Sequence, residues 1–106
     1  MFGYPAGTDF TQPLTFHDRS GNVIDLTSAT SVQAVVYPEP REGASASLTL
    51  TTANTGVVVT DAAAGSINLV MKDDNALTAG EYLAIITATL ASGDAVELGR
   101  ESIFVF

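Results

Sequence analysis

The sequence predicts an all-β fold, an antiparallel sandwich of seven to eight short strands. Three observations predict it. Thr and Ser are plentiful and Trp is absent, and residues such as Thr, Val and Ile favour pleated, half-buried surfaces. Turn signals recur at roughly ten-residue spacing, the rhythm of sandwiches and barrels. Finally, Leu77-Thr78-Ala79-Gly80-Glu81-Tyr82 closes a turn at Gly80 and opens at once into the unusually apolar run Tyr82–Leu90.

Each element follows in order. Residues 1–8 carry Gly3, Pro5 and Gly7 among two aromatics, Phe2 and Tyr4. Such a segment is a poor strand, and the expectation is an extended arm outside the domain proper, which spans 9–106. Phe10, Gln12, Leu14 and Phe16 share one face of the first strand. Pro13 lies on the other face and cannot donate to a ladder, which makes this an edge strand or a sheet switch. His17–Asn22 is a turn, and Val23–Leu26 reads as a short strand.

The next strand, Ser31–Tyr37, sets Val32, Ala34 and Val36 against Gln33, Val35 and Tyr37. Pro38–Gly43 breaks the sheet with two prolines, a glycine and three charges. Ser47–Thr52 places Leu48 and Leu50 on a core face, and Asn54-Thr55-Gly56 turns into Val57-Val58-Val59. Asp61–Gly65 connects to Ser66–Met71, whose Ile67, Leu69 and Met71 point inward. Residues 72–79 hold the one plausible helical turn, with Asp73 or Asp74 as its cap. Tyr82–Leu90 is apolar on both faces, as in a central strand with something packed on each side. A hairpin at Ala91–Asp94 leads to the last strand, Ala95–Phe106, with Gly99 as a bulge.

Composition narrows the function. A chain of 106 residues with 46% hydrophobic residues fills one ordinary core. Twelve acids against four bases give a formal charge of −8. That balance argues against nucleic acid, whose phosphates demand Lys and Arg, and against an anionic membrane surface. There is no cysteine, so no disulfide framework is expected. The start has neither the basic nor the apolar region of a secretory signal, and a protein made in a bacterial cytoplasm is expected.

Candidates for chemistry are few. His17 is the single histidine, in a polar turn beside Asp18 and Ser20. Catalytic triads are assembled from distant segments, so a solvated turn histidine is the better reading. Asp73-Asp74-Asn75 is the densest acidic group, but it lacks the calcium-loop pattern and reads as helix capping or a solvated loop. Whether Asp9, Asp18 and Asp25 approach one another depends on how the first turn folds. No glycine-rich phosphate loop is present. The expectation is a protein that is not an enzyme and has no cofactor.

A tyrosine at the mouth of such a strand resembles the tyrosine corner of immunoglobulin-like sandwiches, where the hydroxyl bonds backbone a few residues upstream. Tyr82, with Gly80 before it, takes that structural role. The order of phrases goes further. Asp9–Phe16, Ile24–Ala29, Leu48–Thr51 with Gly56, Asp61–Leu69, Leu77–Tyr82 and the hairpin through Gly93 together resemble a family of small tailed-phage virion structural proteins. They are similar to the Ig-like N-terminal domain of siphophage upper baseplate proteins. The resemblance implies a non-enzymatic virion component in many copies, a capsid decoration or a tail, baseplate or fibre adaptor. Its partners would be other virion proteins. It implies no catalytic residue.

The residues expected to make such contacts are Phe2 and Tyr4, inserted from the arm into a neighbour, and Phe104 and Phe106 on the last strand. An apolar run such as Val57-Val58-Val59 is expected in the chain's own core or against another chain. The alternative is a carbohydrate- or cell-surface-binding module, for which Tyr37 would be the aromatic platform.

Overall fold

In the computed structural model, which describes residues 1–39, 45–72 and 77–106, eight strands form two facing sheets. The strands are β1 (Phe2–Tyr4), β2 (Phe10–Thr15), β3 (Ala29–Pro38), β4 (Leu48–Thr51), β5 (Val57–Asp61), β6 (Ser66–Met71), β7 (Gly80–Leu90) and β8 (Ala95–Val105). The larger sheet runs β1-β8-β7-β3-β4 and the smaller β2-β6-β5. Thus β8, β7, β3 and β4 take the places of strands G, F, C and C′, and β2, β6 and β5 those of B, E and D, in an immunoglobulin-like sandwich. All pairings are antiparallel except β1 with β8.

Alternation builds the core. Val32, Ala34 and Val36 of β3, Leu50 of β4, Ile67, Leu69 and Met71 of β6, and Ala84, Ile86 and Ala88 of β7 are all buried. Those of β4 and β6 are the inward residues the sequence pattern predicts, and those of β3 form one of the two faces it separates. The buried Ala84 and Ala88 of β7 are small and the buried side chains of β6 large. β2 is an edge strand, as Pro13 requires. In β8, Ile86 faces Gly99 but Thr87 faces Glu97, so Leu98 is the extra residue of a bulge beside Gly99.

Three local expectations give way. Residues 2–4 are no free arm: they form β1, parallel to β8 in register Phe2–Ile103, Gly3–Phe104, Tyr4–Val105. Gly3, which argued against a strand, permits it. A Cβ there would lie 2.8 Å from the Phe104 carbonyl oxygen. Residues 23–26 form no strand of their own. Val23 makes one bridge to His17, and the Ile24 and Leu26 amides donate to the Phe16 and Ala62 carbonyls. The third concerns the outer face of β7. Leu83, Ile85 and Thr87 are half-buried there, and among the described residues no second layer covers them. The helical turn with its Asp73-Asp74-Asn75 cluster, and positions 40–43 of the loop after β3, lie outside the described residues.

Candidate functional site

The turn entering β7 is fixed by one side chain. The Tyr82 hydroxyl donates to the Thr78 carbonyl at 2.7 Å, and the Thr78 hydroxyl lies 3.2 Å from the Tyr82 hydroxyl. This is the tyrosine corner, between the strands in the E and F positions. Gly80 opens β7 opposite Val105 with φ of 154°, and a Cβ there would lie 3.8 Å from the Tyr82 ring. The corner belongs to the architecture. It holds the start of β7 rather than a ligand.

The aromatics expected in an arm are placed differently. Tyr4 is 3% exposed and belongs to the hydrophobic core. Its ring stacks on Phe10 at 5.4 Å, and Phe2, half-buried, stacks on Phe10 at 5.9 Å. β1 and β2 lie in different sheets, so this three-ring stack joins the two layers. Burial holds the Tyr4 phenol above the ordinary tyrosine pKa, with the Tyr82 phenol adding to the shift. Tyr4 is therefore no anchor for a neighbour, and the reason is parallel pairing with a strand at the far end of the chain.

The polar candidates stabilise turns. Asp18 Oδ1 accepts from the amides of Ser20 and Asn22 at 2.9 and 3.1 Å. Its carboxylate shapes the turn after His17. Asp25 accepts from the Thr27 amide and hydroxyl at 2.9 and 2.7 Å, and these two bonds hold its carboxyl below the usual carboxylate range. Among the described residues, no three of His, Asp and Glu gather closely enough to hold a metal ion.

What remains prominent is the outside. Phe104 is 42% and Phe106 61% exposed, and their rings stack at 6.0 Å. Strand alternation explains it: Ile103 and Val105 take the core side of β8, so Phe104 and Phe106 face outward. Glu81 of β7 lies directly opposite Phe104, and Glu39 extends the row by donating its amide to the Glu81 carbonyl at 3.0 Å. Beneath the row, Tyr37 pairs with Leu83 and Leu83 with Ser102. Met1, Glu39, Glu81, Ser102 and Phe104 line a half-open cleft of about 270 Å³. The sequence pointed to the two phenylalanines but not to the carboxylate row beside them. The signal for that row is cross-strand register, which a single sequence does not carry.

The sheet edges differ in how they are closed. Pro13 blunts β2. Asn54 covers β4, because its amide donates to the Thr49 carbonyl at 3.1 Å and accepts from the Thr51 amide at 2.9 Å. β5 has no such cover among the described residues. The Val70 amide donates to the Gly56 carbonyl, which turns the peptide groups of Val59 away from β6 and toward the open edge. Val57 is buried, while Val58 is 43% and Val59 37% exposed. The valine run is thus divided between the chain's own core and its surface.

Comparison with known proteins gives a likeness of fold. No family model and no curated protein matches the chain. Among solved structures it is similar to CopC from Methylosinus trichosporium OB3b, at 12% identity over 97% of this chain and 80% of that one, with a TM-score of 0.53. Murine CRIg matches at 11% identity over 97% and 87%, with a TM-score of 0.46. The V domain of amphioxus IgVJ-C2 matches at 13% identity over 100% and 99%, with a TM-score of 0.33.

Proposed function

We propose that the protein is a non-enzymatic structural module of a bacteriophage particle, present in many copies and joined to other virion proteins through its outer surface. It would serve as a capsid decoration or as an adaptor in the tail, baseplate or fibre attachment. The observation that carries the contact role is the stacked, exposed pair Phe104–Phe106 on the outer face of the larger sheet. Exposed contiguous apolar surface rimmed by polar residues marks interaction sites. The open β5 edge offers a second contact, by addition of a partner strand. The virion setting rests on the resemblance of the strand and turn phrases to small tailed-phage structural proteins.

The test has two parts. A mass-spectrometric inventory of purified particles should contain this chain in many copies per virion, and its absence would sink the proposal. The double variant Phe104→Ser/Phe106→Ser should then fold but join particles at least tenfold less efficiently. The exposed parts of the two rings together amount to about one ring, whose burial is worth about 1.5–3 kcal/mol, and 1.4 kcal/mol is roughly tenfold in an equilibrium. Unchanged incorporation of the folded variant would remove the aromatic pair from the interface.

A further inference from the structure

We propose that the outer face at Glu39, Glu81 and Phe104 is a docking surface for a partner protein that presents an arginine or lysine side chain within an otherwise uncharged segment. This rests on the reading of the protein as a contact module, and it specifies the chemistry of the contact.

An exposed phenylalanine pair alone would suit any apolar partner. The neighbouring charges narrow the choice. Glu39 follows the end of β3 and Glu81 lies on the neighbouring β7; the Glu39 amide donates to the Glu81 carbonyl, and both residues line the cleft. Two carboxylates that line one cleft repel each other. Among the described residues no cation relieves them. The Arg100 guanidinium is held by Glu97 at 3.2 Å, and the Met1 amine is bonded to Glu101. The chain as a whole has twelve acids against four bases, so the complementary charge is expected from a partner.

The aromatic row completes the recognition. Phe104 lies directly opposite Glu81, and Phe106 stacks behind it. A guanidinium or ammonium over the ring face, within about 6 Å of the centroid, gains from the ring quadrupole while its charge meets the carboxylates. The cleft of about 270 Å³ takes one long side chain. Arg fits best, because its planar head stacks on a ring and forks onto a carboxylate together. The apolar stem would lie along Phe104. Like charge repels a second copy of this chain, and a neutral apolar segment would leave the carboxylates buried and unpaired.

The isolated, isotopically labelled full chain provides the test. Its amide spectrum is followed during titration with a synthetic heptapeptide carrying one central arginine flanked by valines, with glycine and serine at its ends. The counterpart peptide carries norleucine in place of arginine. The arginine peptide should shift the resonances of Glu81, Ser102 and Phe104, with an affinity at least fivefold above that of the norleucine peptide. Glu81→Gln and Phe104→Ala should each reduce that preference at least threefold, and sodium chloride should weaken it.

Equal binding of the two peptides would overturn the proposal, as would shifts scattered over Asp18, Asp61 and Asp94. Two further arms name other occupants. Saturable shifts of Glu39 and Glu81 with calcium chloride alone, without a response to the arginine peptide, would assign the face to a metal ion. Shifts at Phe104 on concentrating the protein without peptide would assign it to a second copy. Particle incorporation is a separate measurement. A chain that enters particles but shows no arginine preference loses this inference alone, while one that prefers arginine but is absent from particles loses only the virion setting.

Discussion

At the scale of single residues, Tyr82 carries the clearest consequence. Its hydroxyl donates to a carbonyl four positions back, and its ring is buried. Tyr82→Phe removes the donor and keeps the ring, so the loss should be that of one hydrogen bond, about 0.5–1.5 kcal/mol. Chemical denaturation of the two proteins checks it, and an unchanged midpoint would show that the corner is held by packing alone. This role was legible in the sequence because both partners lie within one short phrase. The burial of Tyr4 was not. Its core position depends on pairing with Val105, at the other end of the chain, and a glycine-rich context conceals it. Asp18 was visible as a turn residue and Asp25 was read as part of a strand, yet the use of both as acceptors for local amides follows only once the turns are closed.

At the scale of elements, β1 depends on close backbone approach. Gly3 lies where a Cβ would come 2.8 Å from the Phe104 carbonyl oxygen and 3.6 Å from the Phe106 ring. The oxygen belongs to the backbone of β8 and cannot swing aside. Gly3→Val should therefore push β1 off β8, cost about 1–3 kcal/mol as overpacking does, and loosen the Phe2–Phe10–Tyr4 stack. A lowered thermal midpoint, with faster amide exchange at the β1–β8 junction, is the expected result. Wild-type stability would mean that β1 contributes little to the sheet.

The same scale explains what patterning reveals. Period-two alternation identified the inward faces of β2 and β6 and separated the two faces of β3, because one face of each meets the core. It misread Val23–Leu26 as a strand, where one bridge to His17 and single amide bonds to Phe16 and Ala62 hold the segment. It also took the two apolar faces of β7 to mean two packed layers. The half-buried outer face instead lies along a broad sheet, between Val35 on one side and Arg100 on the other. Five strands lie over three, and sheet width is set by long-range pairing.

At the scale of the whole molecule, charge is the property most open to a simple experiment. The formal charge of −8 is spread over a body of 36 × 28 × 25 Å. At about 0.01 M salt the screening length is roughly 30 Å, so every carboxylate feels most of the others. At about 0.15 M it falls to roughly 8 Å, and only near neighbours still repel. Attraction offers little to set against this. The Arg100–Glu97 pair is about half exposed on both sides, and exposed pairs contribute about 0–1 kcal/mol before screening. Folding gathers the acids closer than the open chain does, so self-repulsion weighs on the native state. Raising sodium chloride from about 0.01 M to about 0.15 M should therefore raise the thermal midpoint, on the order of 3–5 °C, as somewhat under 1 kcal/mol does in a domain of this size. A calorimetric series across that range decides it. A midpoint that falls with salt would mean that ion pairs outweigh repulsion, and would remove the charge imbalance as a reason to look for a cationic partner.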